Sequence, residues 1–119
     1  KADLAVLAIS TGEIEPVPIL ELDGVRSETV WAVGYPGGQE MSTDRGILQR
    51  VDNGVVHASA SVDSGQSGGG LLVCHDGAWS MIGMLRGFGA TWREGRYVRM
   101  NDYSVSVAAQ TINYFFQAR

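Results

Sequence analysis

The ten residues DSGQSGGGLL (63–72) place one serine, Ser67, among four glycines, directly before an apolar run. Glycine lacks a Cβ atom, so a dense group of glycines indicates a backbone that bends tightly or approaches another group closely. Two interpretations follow from the residues alone. The stretch is either a loop that presents the Ser67 hydroxyl to a substrate, or only a flexible turn before a strand.

Composition limits the class of protein. The 119 residues are enough for one domain or part of one, and the 45% hydrophobic fraction predicts a packed core. The net charge of −4 argues against a nucleic-acid partner, since phosphate binding favours a basic face. No apolar run approaches the roughly 18 residues of a membrane span. The single cysteine, Cys74, excludes an internal disulfide and a Cys-rich metal cluster, so we expect no metal and no cofactor.

Short apolar runs separated by turn residues predict a mainly β domain. The pairs Asn53-Gly54 and Asp76-Gly77 lie between apolar runs and are typical of tight hairpins. The predicted strands cover residues 3–9, 28–35, 45–51, 55–61, 70–74, 78–88 and 95–100. Six or seven short strands without a linker or a repeat indicate an antiparallel barrel or sandwich.

The C-terminal segment has a different periodicity. Apolar side chains recur at helical spacing from Val105 through Ile112 to Phe116, and Ser104 is a suitable N-cap. We therefore predict a helix over residues 104–117 that packs on the domain through Val105, Ile112 and Phe116.

Five segments resemble the chymotrypsin-like serine proteases, in the order in which that family has them. GQSGG (65–69) resembles the nucleophile loop. The others are DLAVL (3–7), VWAVGYPGG with GIL (30–38 and 46–48), GAWSMIGML (77–85) and GRYVRMNDY (95–103). VWAVGYPGG with GIL resembles the bacterial HtrA-like branch in particular. The resemblance implies the second barrel of the fold, an all-β, six-stranded antiparallel Greek-key barrel with a C-terminal α-helix.

The resemblance also implies roles for named residues. Ser67 corresponds to the nucleophile and Asp3 to the carboxylate that orients the base. The backbone N–H groups of Gly65 and Ser67 correspond to the oxyanion hole, which stabilises the negative oxygen formed during attack. Ser61 corresponds to the base of the substrate pocket, and the strand that contains Arg86 corresponds to its wall.

One part of the catalytic constellation has no counterpart in the sequence. In the family the histidine base precedes the aspartate, whereas His57 and His75 both follow Asp3, and neither matches the family's position. We therefore expect residues 1–119 to be a C-terminal half that needs a histidine-bearing N-terminal half, either on the same chain or on a separate one. The expected substrate is a peptide or a protein. Gln66 is neutral where many members have an aspartate that pairs with a new N-terminus, which argues against activation of that kind.

Some alternatives stay open at this point. The missing histidine allows a catalytically inactive, protease-like binding or regulatory domain. For the substrate, Ser61 with Met84 and Leu85 favours a small or medium apolar side chain, whereas an inward Arg86 would favour an acidic one. A preference for Lys or Arg has no support, because position 61 is not a carboxylate. The compartment is open as well, with a bacterial periplasmic or secreted location favoured over a cytoplasmic one.

Overall fold

The structure is a computed structural model that describes residues 3–22 and 27–118. An extended N-terminal segment leads into six strands and one helix. The strands are β1 (Thr29–Gly34), β2 (Ser42–Asp52), β3 (Val55–Ala58), β4 (Gly70–His75), β5 (Ala78–Arg93) and β6 (Arg96–Ala108), and the helix is α1 (Ala109–Ala118). A short 3-10 turn, Pro36–Gly38, lies between β1 and β2.

The six strands form a closed antiparallel barrel in the order β1-β2-β3-β6-β5-β4. Three tight hairpins and the longer connection between β1 and β2 join neighbouring strands, whereas the connection of residues 59–69 leaves β3 and crosses to β4, which pairs with β1. This crossing gives the barrel its Greek-key character. It also carries Ser67, so closure of the barrel fixes both ends of the glycine-rich loop.

The hairpin turns follow from their residues. Asn53 and Gly54 have φ angles of 48° and 75°, and Asp76 and Gly77 have 52° and 77°. Two successive positive φ angles are the geometry of a tight turn whose twist matches that of the flanking strands, and Asn-Gly and Asp-Gly adopt it readily. The sequence-based prediction of hairpins at these two places is confirmed.

The barrel is filled by alternate residues of its strands. In β1 every second side chain is buried, as expected when one face of a strand points inward. The largest fully buried apolar side chains are Leu48, Leu71, Ile82, Val30, Val56 and Val73. They come from five of the six strands, and β6 contributes Ala108 to the same core.

The predicted buried strand at residues 3–9 is wrong. The segment belongs to no strand, and 78% of Leu7 and 72% of Ile9 are exposed. The physical reason is that the six barrel strands already pair with one another. The N-terminal segment joins the barrel only later, where Ile19 bridges to Met81 on β5.

The predicted helix begins five residues too early. Residues 104–108 continue β6, because their backbone pairs with β3 on one side and β5 on the other. The helix therefore begins at Ala109. Ile112 packs inward as predicted and is only 3% exposed, but Val105 lies on the strand and Phe116 is 44% exposed. With ten residues, α1 is too short to cross a bilayer. No other helix in the described part of the chain is long and apolar enough to do so.

Candidate active site

Backbone hydrogen bonds hold the loop around Ser67 against β5. The N–H of Gln66 donates to the carbonyl of Asp63 at 3.1 Å, and the N–H of Gly69 donates to the carbonyl of Gln66 at 2.9 Å. The N–H of Gly68 donates to the carbonyl of Leu85, and the N–H of Leu85 donates to the carbonyl of Gly69, both at 2.8 Å. These bonds make the loop a fixed turn rather than a flexible connection.

Two glycines of this loop are required by close backbone packing. Gly65 has a φ of +97°, and a Cβ atom there would lie 2.5 Å from the nitrogen of Gly37. A Cβ atom on Gly69 would lie 2.2 Å from the carbonyl oxygen of Val33. Real Cβ atoms do not approach backbone atoms this closely, so the loop can pack against β1 and the turn after it only with glycine at these positions.

Gln66 supports the loop from beneath. Its side chain is almost completely buried, and its Oε1 accepts a 2.6 Å hydrogen bond from the N–H of Asp63. Its Nε2 has no hydrogen-bond partner among the described residues. A neutral amide therefore holds the turn together at a position where a buried carboxylate would need a counter-charge.

The Ser67 side chain is exposed and lies between two cavities. Its hydroxyl donates a 2.9 Å hydrogen bond to the carbonyl of Arg86. One cavity of about 360 Å³ is bounded by residues 33–35 and 65–69. The other, of about 220 Å³, is lined by Asp3, Ser67, Gly68, Met84, Leu85, Arg86 and Val107. The fold thus brings Asp3 to the same cavity as Ser67, although the two residues are far apart in the chain.

The N–H groups of the loop divide into two sets. Those of Gln66, Gly68 and Gly69 donate to carbonyls, as described above. Within the described residues, the N–H groups of Gly65 and Ser67 donate no hydrogen bond. Both residues line the cavity of about 360 Å³.

Arg86 contacts both of the residues that correspond to catalytic positions. Its carbonyl accepts from Ser67, and its Nε lies 3.9 Å from Oδ2 of Asp3. Both charged side chains are more than half exposed, so this ion pair contributes little to stability. Both residues line the cavity of about 220 Å³.

Ser61, which corresponds to the base of the substrate pocket, is held by a residue that the sequence did not single out. Its hydroxyl donates to Oδ1 of Asp102 at 3.0 Å and accepts from the N–H of Asp102 at 3.1 Å. The neighbouring Asp63 carboxylate is contacted by the guanidinium of Arg99. The Cζ atom of Arg99 also lies 5.1 Å from the ring centroid of Phe88. Residues 99–102 lie beside 61–63 because β6 is longer than its sequence pattern indicated.

The two histidines of the chain are placed away from Ser67. His57 lies on β3, where its Nδ1 is 2.5 Å from the hydroxyl of Tyr103 and its Nε2 is 3.5 Å from Oδ1 of Asp52. His75 is exposed at the end of β4. Of the described residues that line the two cavities beside Ser67, none is a histidine.

The sequence matches the family model for the trypsin-like peptidase domain over residues 1–84 of the 119. The chain therefore belongs to the trypsin-like peptidase family. Its closed six-stranded barrel with a C-terminal helix is the barrel expected for a chymotrypsin-like member. No curated protein matches the sequence significantly.

Solved structures share this fold. The HtrA-type protease AlgW, determined with a tripeptide, aligns with a TM-score of 0.69 and 19% sequence identity, over 92% of this chain and 37% of AlgW. The inactive form of the Rv3671c protease aligns with a TM-score of 0.66 and 16% identity, over 89% of this chain and 55% of that protein. The fold is thus the chymotrypsin-like barrel seen in HtrA-type proteases, and the chain spans only part of the length of these two proteins.

Proposed function

We propose that this chain is the C-terminal half of a serine endopeptidase, which hydrolyses peptide bonds through an acyl-enzyme at Ser67. One observation supports this most strongly. Asp3 and Ser67 line one cavity, while the N–H groups of Gly65 and Ser67 line the neighbouring one without acceptors among the described residues. Ser67 lines both cavities, which supports roles for it as nucleophile, for Asp3 as the orienting carboxylate and for the two N–H groups as oxyanion donors.

The proposed reaction uses these groups in two steps. Ser67 Oγ attacks the carbonyl carbon of the substrate while a histidine takes the hydroxyl proton, and the N–H groups of Gly65 and Ser67 bind the oxyanion. The C–N bond then breaks, the histidine gives its proton to the leaving amine, and Ser67 carries the acyl group. Water, deprotonated by the same histidine, attacks the ester and restores the hydroxyl. The Asp3 carboxylate holds the imidazole in the required orientation.

The histidine is proposed to come from an N-terminal half. This chain spans 37% and 55% of the two related structures, so there is room in such proteins for a second barrel. His57 is engaged with Tyr103 and Asp52, which makes it a poor candidate for the base. The exposed apolar residues Leu7 and Ile9, next to Asp3, offer a surface for that half.

Ser61 and Arg86 are proposed to contribute to the substrate pocket beside Ser67. The Ser61 hydroxyl is already satisfied by Asp102, and the Arg86 guanidinium is directed toward Asp3. Ser61 carries no charge and the Arg86 guanidinium is more than half exposed, which supports a preference for a small or medium apolar residue before the scissile bond. Cleavage of a peptide library tests this preference. Strong cleavage after Glu or Asp that is lost in Arg86→Ala would overturn it.

Labelling with a fluorophosphonate probe tests the nucleophile directly. In the full-length protein we expect Ser67 to be labelled, and Ser67→Ala to remove the labelling completely. Ser64→Ala is the matched control, because it removes a hydroxyl from the same loop and should leave labelling intact. Peptide binding without any labelling of the full-length protein would instead support a catalytically inactive, protease-like binding domain.

The need for the second half can be tested by reconstitution. Residues 1–119 alone should show almost no peptidase activity, because loss of the base costs nearly as much as loss of the nucleophile. Addition of the separately produced N-terminal half should restore activity. Full activity of residues 1–119 alone would contradict the proposed source of the base.

A further inference from the structure

The outer part of the β5–β6 hairpin, residues 87–101, extends beyond the barrel and is called the arm below. β4 pairs with β5 only as far as Met84, and β3 pairs with β6 only as far as Ser104. Beyond these points the two strands pair with each other, as far as Arg93 and Arg96. All residues from 90 to 101 are exposed, so their side chains contribute little to the core and are accessible to a partner.

The base of the arm is joined to the proposed catalytic loop. Arg99 contacts the Asp63 carboxylate, and its guanidinium also lies over the ring of Phe88. Just before the arm, Arg86 lines a cavity together with Ser67. A segment that lies along the arm would therefore end beside the Ser67 hydroxyl.

The arm concentrates positive charge in an acidic protein. Residues 87–101 include three arginines and one glutamate, whereas the whole chain has a net charge of −4. At the tip, Arg93 and Arg96 lie directly opposite each other, and neither forms a salt bridge within the described residues. Like charges in opposite positions destabilise a hairpin. A bound carboxylate would relieve that repulsion and form charge-assisted hydrogen bonds with both guanidinium groups.

Two exposed aromatic side chains occupy the register position next to Arg93 and Arg96. Trp92 is opposite Tyr97, with ring centroids 4.9 Å apart, and the two residues are 63% and 73% exposed. Tryptophan, tyrosine and arginine are the residue types most enriched where proteins bind partners. Because side chains alternate along a strand, the aromatic pair and the arginine pair lie on opposite faces of the tip.

We infer that the arm is a docking surface for an acidic, extended segment of the substrate, with carboxylates that bind Arg93 and Arg96. This inference rests on the proposed function. The edge of β5 that faces away from β6 is open beyond Arg86 in the described structure, and an extended segment can lie along such an edge. Arg93 lies seven positions after Arg86 on β5, about 23 Å at roughly 3.3 Å per residue. The acidic residues are therefore about seven positions from the residue bound at Ser67.

Peptide binding to the Ser67→Ala form of the full-length protein tests the inference without catalysis. One labelled peptide carries an apolar centre and a block of glutamates about seven residues away at each end, and its twin carries glutamines. We expect the glutamate peptide to bind about tenfold more tightly at low salt, since two exposed ion pairs contribute about this much. The double variant Arg93→Gln/Arg96→Gln should abolish the difference.

The matched control is Arg45→Gln/Arg50→Gln on β2, which removes the same charge away from the arm and should leave the difference unchanged. Equal binding of the two peptides, or an equal loss in the control, would overturn the inference. So would displacement of the peptide by an oligonucleotide of similar affinity, because the arm would then be a general anion site. Labelling of Ser67 without a glutamate preference would overturn the inference and leave the proposed function intact. A glutamate preference without labelling would overturn the proposed catalysis and leave the docking surface intact.

Discussion

The hydroxyl of Ser67 donates its hydrogen bond to the carbonyl of Arg86, 2.9 Å away. A serine hydroxyl has a single proton, so in this arrangement it cannot at the same time donate to a histidine. The proposed nucleophile must therefore exchange one acceptor for another before it can attack.

Asp3 provides a first test of the proposed triad. In the full-length protein, Asp3→Asn should lower kcat by about 10⁴-fold, because an amide no longer holds the histidine in the required tautomer. Initial rates with a peptide substrate measure the effect. Asp76→Asn is the control, since Asp76 lies in the β4–β5 turn, where asparagine is equally compatible with a positive φ. Full activity of Asp3→Asn would remove this residue from the proposed site.

Alanine substitutions at two glycines of the loop distinguish the effect of steric clash from the effect of backbone strain. Both Gly65 and Gly68 have positive φ angles, but only a Cβ at Gly65 would meet another backbone atom, Gly37 N at 2.5 Å. Gly65→Ala should therefore displace an oxyanion donor and lower kcat about 10²- to 10³-fold. Gly68→Ala should cost about 1 kcal/mol of stability from strain alone and retain more activity. Thermal unfolding and initial rates together distinguish the two, and equal losses of activity would argue against the assigned donor.

Burial at Gln66 predicts a pH-dependent variant. In Gln66→Glu the new carboxyl can still accept from the Asp63 N–H, but burial should raise its pKa above the ordinary value of about 4.3. Because the folded-state pKa lies above the unfolded-state value, the variant should be most stable below about pH 4 and lose stability as the pH rises through the folded-state pKa.

Thermal unfolding of Gln66→Glu at pH 4 and pH 8 tests this expectation. Gln66→Met is the matched control, because it removes the acceptor without adding a charge, and its Tm difference from the original protein should not depend on pH. A Tm difference for Gln66→Glu that is the same at both pH values would show that the side chain at this position is not buried as described.

The contact between His57 and Tyr103 is predicted to be structural. Tyr103→Phe removes the hydroxyl next to His57 Nδ1 and should cost about 1 kcal/mol of stability, with no change in the labelling of Ser67. His57→Gln should likewise retain labelling. Chemical denaturation measures the first effect and a fluorophosphonate probe the second. Loss of labelling in His57→Gln would show instead that this histidine serves catalysis.

Local signals in the sequence predicted much of the fold. Asn53-Gly54 and Asp76-Gly77 determine their turns by backbone preference, and the glycines around Ser67 indicated its loop, because these effects act over a few residues. The end of β6 was misread, since its apolar residues also fit helical spacing and only pairing with β3 and β5 decides between the two. The roles of Arg99 and Asp102 in contacting residues 61–63 depend on the same long-range pairing, so no local pattern revealed them.

The pairing of β3 with β6 also governs when the proposed site can form. Val55 lies opposite Val107, close to the end of the last strand, so the barrel cannot close before β6 has left the ribosome. Until then β3 and β4 are connected only through β2 and β1, and the contacts of Asp102 with Ser61 and of Arg99 with Asp63 have not formed. A chain still in synthesis therefore has Ser67 but not the complete set of contacts around its loop. The topology delays completion of the proposed site until translation of the barrel is complete.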